Sequence, residues 1–357
     1  MKHFKILICS VFCLYISACA GIETVAPKGT SAEIQAEQDK QRALAYQGFI
    51  DNQTRLYKVA FPILIHNTEF CDKATRPITG LSVWNIHTVP QSFRRVLGVE
   101  HNLGEDLVVQ NIIRNSPAEK AGLKKGDLLL SLNGEPVPRG EKALKAVQNL
   151  VKQSGYKNIN IAYIRGNTTK TGIIRPIKGC DYAVLLDNSA RVNAFADGRR
   201  IIITRGIMRF AQNDSELALV IAHEMAHNTM KHVQKLQRNA TAGALGGLAV
   251  DVLLGAAGVG TGNRFSRLGG SLAQQRFSVP FEQEADYVGM YFMRRAGYDT
   301  AQVANFWRRM AAEGQASIDL RTSHPTSPER FIAIEHTHDE INTKLSKGQK
   351  LAPNFAL

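Results

Sequence analysis

The chain has 357 residues and a formal charge of +13, from 44 Lys and Arg against 31 Asp and Glu. A hydrophobic share of 44% with 21% charged residues excludes a disordered or collagen-like chain and leaves room for two or three domains with ample cores. The basic residues are scattered in runs no longer than two, so the charge excess reads as a solvated surface and not as a nucleic-acid site.

Residues 1–18 carry Lys2 and Lys5, then an apolar run from Ile6 to Ile16, then small residues before Cys19. A basic start, a short apolar core and small residues describe an export signal too short to span a bilayer. Ile16-Ser17-Ala18-Cys19 resembles the lipobox of bacterial lipoproteins. That resemblance implies cleavage before Cys19, lipid on its sulfur and a polar tether over 19–31. With Ala20 next, it also implies the outer membrane, facing the periplasm. Each buried methylene of an acyl chain contributes about 0.8 kcal/mol to the anchor. Cys9 and Cys13 leave with the signal, so Cys71 and Cys180 remain as an even pair in an oxidising compartment. They are predicted to be bridged, two buried thiols being the alternative.

From Ala32 to about Tyr57 the spacing of Ile34, Ala45, Phe49 and Leu56 predicts an amphipathic helix, ended by Pro62. Further on, the string from Ser116 to Gly134 places a capping Ser before Pro117, a helix-ending Gly122, a Gly126-Asp127 turn and a tight Asn133-Gly134 turn. It closely resembles bacterial PDZ domains, and the resemblance implies a module over about 80–178. It also implies a carboxylate-binding loop at Leu97, Gly98 and Val99, whose N–H groups receive a peptide C-terminus while the peptide joins the sheet edge. A bridge between Cys71 and Cys180 would tie the two ends of this insert.

His223-Glu224-Met225-Ala226-His227 is an H-E-x-x-H pentapeptide, preceded by the buried-helix run Leu217 to Ala222 and by Asn213 and Glu216 as a capping box. Four residues apart on a helix, the two imidazoles differ by about 40° and face one point. Two imidazoles and one carboxylate suit Zn²⁺, with Glu224 beside them as the proton acceptor. His232 lies nine residues from His223, about 180° round a continuous helix, and is excluded as a ligand. It also misses the longer H-E-x-x-H-x-x-G-x-x-H pattern, which would put the ligand at Val233. On the helix predicted after Pro280, Glu282 and Asp286 share a face while Glu284 points away. Glu282 is therefore assigned as third ligand, and Asp286 as acceptor of an imidazole N–H from His223 or His227.

Asn193-Ala194-Phe195-Ala196, the strand Arg200 to Thr204, the segment Asp214 to His227 and Glu282 to Asp286 together resemble the HtpX/BepA-type zinc metallopeptidases. The resemblance covers about 180–345, and residues 32–75 are assigned to the same domain. It implies an α+β chain: a mainly helical zincin-type domain with a small β-sheet, plus the inserted PDZ domain, itself a small β-sandwich or barrel with helices. It implies one zinc per chain on His223, His227 and Glu282, which agrees with the facing argument. It further implies that Asn193, Ala194 and Ile202 hold substrate backbone by strand addition. In Ser323-His324-Pro325, His324 either caps the zinc at rest or donates to the developing oxyanion, or is a plain loop histidine; Arg330 belongs to the same segment. The chain has no apolar run long enough for the transmembrane helices of HtpX, and is more similar to the lipoprotein branch.

The expected function is a lipid-anchored periplasmic zinc endopeptidase of envelope-protein quality control, with the PDZ domain selecting unfolded or unassembled proteins or their C-terminal peptides. The alternative is a chaperone-like outer-membrane assembly factor with latent proteolysis. The segment 241–280 holds nine Gly in forty residues and is expected to be a lid, a pair of packed helices or a membrane contact.

Overall fold

The computed structural model describes residues 27–238, 241, 278–316 and 327–355. The predicted export signal, Cys19, most of the 241–280 segment and His324 lie outside the described residues. The chain divides after Gln41 into two compact units, and the predicted PDZ domain and residues 180–345 lie in the second.

Helix α1 (Ser31–His66) runs past its predicted end. Pro62 removes one helical hydrogen bond, at about 3 kcal/mol. The surrounding turns bury Leu56, Val59, Ala60, Ile63 and Leu64 in the core, and full burial of a large aliphatic side chain contributes about 1.5–3 kcal/mol. Several such side chains outweigh one lost bond, so the helix continues.

Strand β1 (Thr75–Ile78) opens a frame, and β2 (Leu81–Trp84) begins the PDZ sheet. Between β2 and the next strand stands α2 (Gln91–Glu100), which replaces the predicted carboxylate loop. Leu97, Gly98 and Val99 are interior to this helix, where their N–H groups belong to its ladder and cannot receive a carboxylate. Leu97 is buried with Tyr46, Ile50, Trp84, Val89 and Leu103, whereas Val99 is 85% exposed.

The module continues through β3 (Val108–Ile112), α3 (Pro117–Lys120), β4 (Leu128–Leu132), β5 (Glu135–Pro136), α4 (Ala143–Ser154), β6 (Ile159–Arg165) and β7 (Thr168–Ile174). Ser116 caps α3 by accepting from Glu119 N–H, and Gly122 takes φ +82° just beyond it. The sheet order is β2-β3-β4-β6-β7, with β5 paired to β4, around a core of Leu107, Val109, Leu129, Ile159 and Ile161 among others.

Strand β8 (Ile177–Cys180) pairs antiparallel with β1, setting Thr75 opposite Cys180. A Cys71–Cys180 disulfide, Cα–Cα 5.7 Å, closes the same frame. The two ends of the PDZ module are thus held side by side, which is what allows an insert to leave the surrounding core intact.

The surrounding core resumes with β9 (Ala183–Asp187), β10 (Ala194–Ala196) and β11 (Arg200–Thr204), in the order β10-β11-β9. Then follow α5 (Arg205–Phe210), α6 (Asp214–Thr229), a helical stretch over 232–238, α7 (Val279–Arg295), α8 (Ala304–Ala316) and α9 (Pro328–Ser346). One core unites α1, the sheet face carrying Ala194, Ile201 and Ile203, and helices α6 to α9. The architecture is α+β.

Candidate metal centre

Helix α6 is anchored before it reaches the site. Asn213 Oδ1 accepts from Glu216 N–H at 2.9 Å, while Glu216 Oε2 accepts from Gln212 N–H at 2.8 Å, one residue earlier than a simple capping box would have it. Leu217 to Ala222 are fully buried, so the helix delivers His223, Glu224 and His227 into the interior on a packed scaffold.

His223 Nε2 and His227 Nε2 lie 3.0 Å apart, and Glu282 of α7 sets its carboxylate oxygens 3.4 Å from each. Ligand atoms of these three residues all fall within 4.8 Å of one another. A tetrahedral ion with bonds of about 2.0–2.1 Å holds its ligands about 3.3–3.4 Å apart, close to the spacing observed. The charges agree. Glu224, Glu282 and Asp286 are buried carboxylates, and among the described residues the buried cation beside them is Arg330. Three buried carboxylates against one guanidinium are costly away from water unless compensated, and a divalent cation compensates them.

The neighbours orient the ligands. Asp286 Oδ1 lies 2.9 Å from His223 Nδ1. Burial opposes charge on Asp286, but the Arg330 guanidinium and the His223 ring hold its carboxyl below the usual range. An ionised Asp286 accepts a hydrogen bond from His223 Nδ1–H, which keeps the ring proton on Nδ1 and leaves the Nε2 lone pair for a cation. Arg330 forks onto Asp286 at 2.7 and 2.9 Å and reaches Glu282 Oε2 at 3.1 Å. Its guanidinium lies 5.2 Å from the Trp307 ring centroid, and that ring lies 5.3 Å from the His223 ring.

Two predicted substrate contacts are corrected. β11 is the middle strand, flanked by β10 and β9, so Ile202 lies on no free edge that a peptide could join. Asn193 turns its backbone to Thr204, donating to Oγ1 at 3.2 Å and accepting from the amide N–H at 3.2 Å. By the alternation of an antiparallel ladder, Ala194 directs its N–H and C=O away from β11, and β10 is an edge strand among the described residues.

His232 belongs to the site although the sequence argument set it aside. Helix α6 ends at Thr229 and Lys231 takes φ +59°, so 223 and 232 do not share one helix. The turn brings His232 Nδ1 to 2.9 Å from His227 Nδ1. Glu284, facing away from the ligand cluster, meets His232 Nε2 at 2.6 Å.

A buried two-histidine, one-glutamate cluster with an adjacent glutamate, on helices packed against a small sheet, defines a metallopeptidase-type domain. Residues 174–338 match the family described as Peptidase family M48, and residues 108–165 match a PDZ domain. The chain carries a peptidase M48 domain together with a PDZ domain.

Over 172 residues it is 31% identical to the beta-barrel assembly-enhancing protease of Escherichia coli O157:H7, covering 44% of this chain and 34% of that protein. Over 161 residues it is 32% identical to the mitochondrial metalloendopeptidase OMA1 of Schizosaccharomyces pombe, covering 43% and 45%. The chain spans less than half the length of these curated relatives. The HtrA3 PDZ domain bound to a phage-derived ligand (FGRWV) is 21% identical, with a match that covers 29% of this chain and 88% of that one and a TM-score of 0.23.

Proposed function

We propose that the chain is a zinc endopeptidase of the bacterial envelope, lipid-anchored at Cys19, that hydrolyses unfolded or unassembled envelope proteins. The observation that carries this is the convergence of His223, His227 and Glu282 within 4.8 Å, with Glu224 buried beside them. Bound there, Zn²⁺ supplies the Lewis acidity that activates water and polarises a scissile carbonyl. Glu224 accepts the proton of the attacking water at its carboxylate and passes it to the leaving amine. Ala194, on the edge strand, offers the backbone groups that align an extended substrate. The PDZ sheet ends on β2 at one side and β7 at the other, and a sheet edge replaces residues 97–99 as the place where a peptide would add. The Ile16–Cys19 string supports the anchor, and no helix among the described residues is long and apolar enough to cross a membrane.

The name of the Escherichia coli relative supports a second reading, an assembly factor for outer-membrane proteins whose proteolysis is latent. Casein digestion by wild type and by Glu224→Gln, with zinc content measured, separates the two. The endopeptidase reading expects activity that falls about 10²–10⁴-fold in the variant. Activity insensitive to the substitution overturns it, and a zinc-loaded but inert wild type favours the second reading.

A further inference from the structure

Helix α6 stops two residues short of Lys231, and Lys231 adopts a left-handed φ of +59° that side-chain-bearing residues rarely take. The result of that turn is His232, fully buried, its ring stacked on Phe281 at 4.5 Å and 10°. Its two nitrogens are both engaged: Nδ1 lies 2.9 Å from His227 Nδ1, and Nε2 lies 2.6 Å from Glu284 Oε2. We propose that His232 and Glu284 are positioning residues that fix the ring and tautomer of His227 for the cation. The proposal rests on the metal-centre reading.

The chemistry allows one proton arrangement. His227 presents Nε2 to Glu282 and His223, and a metal ligand needs its lone pair there, so the His227 proton sits on Nδ1. That N–H donates to His232 Nδ1, which must therefore be the acceptor. The His232 proton then sits on Nε2 and donates to the Glu284 carboxylate. Every hydrogen bond in the chain has a defined direction, and His232 is neutral.

The two ligand histidines are thus supported differently. His223 meets Asp286 directly, whereas His227 reaches its carboxylate through an imidazole. A third buried acid against the ligands, besides Glu224 and Asp286, would add a negative charge that one divalent cation and Arg330 do not balance. The neutral ring avoids this by relaying the contact to Glu284, whose side chain is 37% exposed. Phe281, Glu282 and Glu284 all belong to α7, so a single helix supplies the ligand, the stacking surface for His232 and its carboxylate.

The test uses the full chain, with zinc affinity measured by competition against a chromogenic chelator and the visible spectrum recorded after cobalt(II) substitution. Loss of outer support of this kind costs about 10–100-fold in metal affinity. His232→Phe keeps the stacking but accepts nothing, and is expected to weaken zinc binding within that range and to shift the cobalt bands. His232→Gln restores an acceptor for His227 and is expected to recover part of the loss. Glu284→Leu is expected to weaken binding about 10-fold, and Glu284→Gln, which still accepts from Nε2–H, is expected to stay near wild type. At saturating zinc, kcat should change less than affinity does. His232→Phe and Glu284→Leu proteins that bind zinc within twofold of wild type overturn the proposal. Should His232→Phe fail to fold, the part-exposed Glu284→Leu decides the matter alone. A wild type that binds no zinc overturns both this inference and the metal-centre reading; a tight-binding wild type matched by Glu284→Leu overturns this inference only.

Discussion

Gly289 sets how closely α7 approaches α6, and replacing it with Ala tests whether that approach builds the metal centre. A Cβ at this position would lie 3.0 Å from His223 N, 3.1 Å from His223 Cα and 3.2 Å from Ala222 C. These are backbone atoms, so no side-chain rotation relieves the contact. Comfortable separation begins near 3.5 Å, and the helices must part by about 0.3–0.5 Å. Ala gains about 1 kcal/mol over Gly in a helix, and overpacking costs about 1–3 kcal/mol. The net destabilisation of the metal-free protein is therefore expected to be small, between zero and about 2 kcal/mol. Zinc binding should suffer more. Glu282 lies seven residues before Gly289 on the same helix face, and His223 is itself the contact. Parting the helices thus separates two ligands by more than the roughly 0.2 Å that metal-site distances tolerate. A loss of zinc affinity of about 10-fold or more is expected, read by chelator competition beside urea unfolding of the metal-free protein. Gly289→Ala with wild-type zinc affinity would refute the view that this helix contact sets the ligand spacing.

Two further outcomes concern the scaffold. The disulfide spans 109 residues, and in the chain-entropy picture its removal costs roughly 4–5 kcal/mol; the Cys71→Ala, Cys180→Ala protein should show that loss in urea unfolding, and a loss under about 1 kcal/mol would mean that β1–β8 pairing alone ties the PDZ ends. Burial opposes charge on Asp214, yet hydrogen bonds and charge from Arg55 and Lys58 hold its carboxyl below the usual range. A carboxyl depressed in the folded state adds stability that is present above its unfolded value near 3.9 and is lost as pH falls through the folded value. Because the side chain is 35% exposed, Asp214→Asn should cost only about 0.5–1 kcal/mol at pH 7 and nothing measurable near pH 2; a cost that persists at pH 2 would contradict the assignment.

What the sequence made legible was what helical periodicity determines. His223 and His227 face one point because they are one turn apart, and Glu282 and Asp286 share a face for the same reason. Both relations hold within a single helix and need no tertiary information. The cysteine pairing followed from parity and compartment, again without geometry. The misplacements arose where chain direction or sheet position decides. Ile201-Ile202-Ile203 is an unbroken apolar run, which is how a strand covered on both faces reads, and such a strand sits inside a sheet and not at its edge. That signal pointed away from Ile202 as a substrate-binding edge and toward β10. In α2, Phe93, Val96 and Leu97 recur at helical spacing after Pro90, so a helix was available to the pattern even though the Leu97-Gly98-Val99 string has the look of a carboxylate loop.

His232 is a different kind of miss. No residue preference marks Lys231 for a left-handed conformation, since Gly or Asn would be the usual choice. With the helix taken as continuous, His232 is carried to the wrong side, and only the tertiary contacts reverse that. Phe281 offers a stacking face, Glu284 an acceptor, and Asp72 an ion pair to Lys231 Nζ at 2.9 Å. Local strain held against such contacts is characteristic of functional sites. Lys231, the residue that breaks the local rule, thus makes the turn that seats His232 against His227 and Glu284. The opening residues of α7 carry both the candidate ligand Glu282 and, on another face, Glu284, the proposed support for His227.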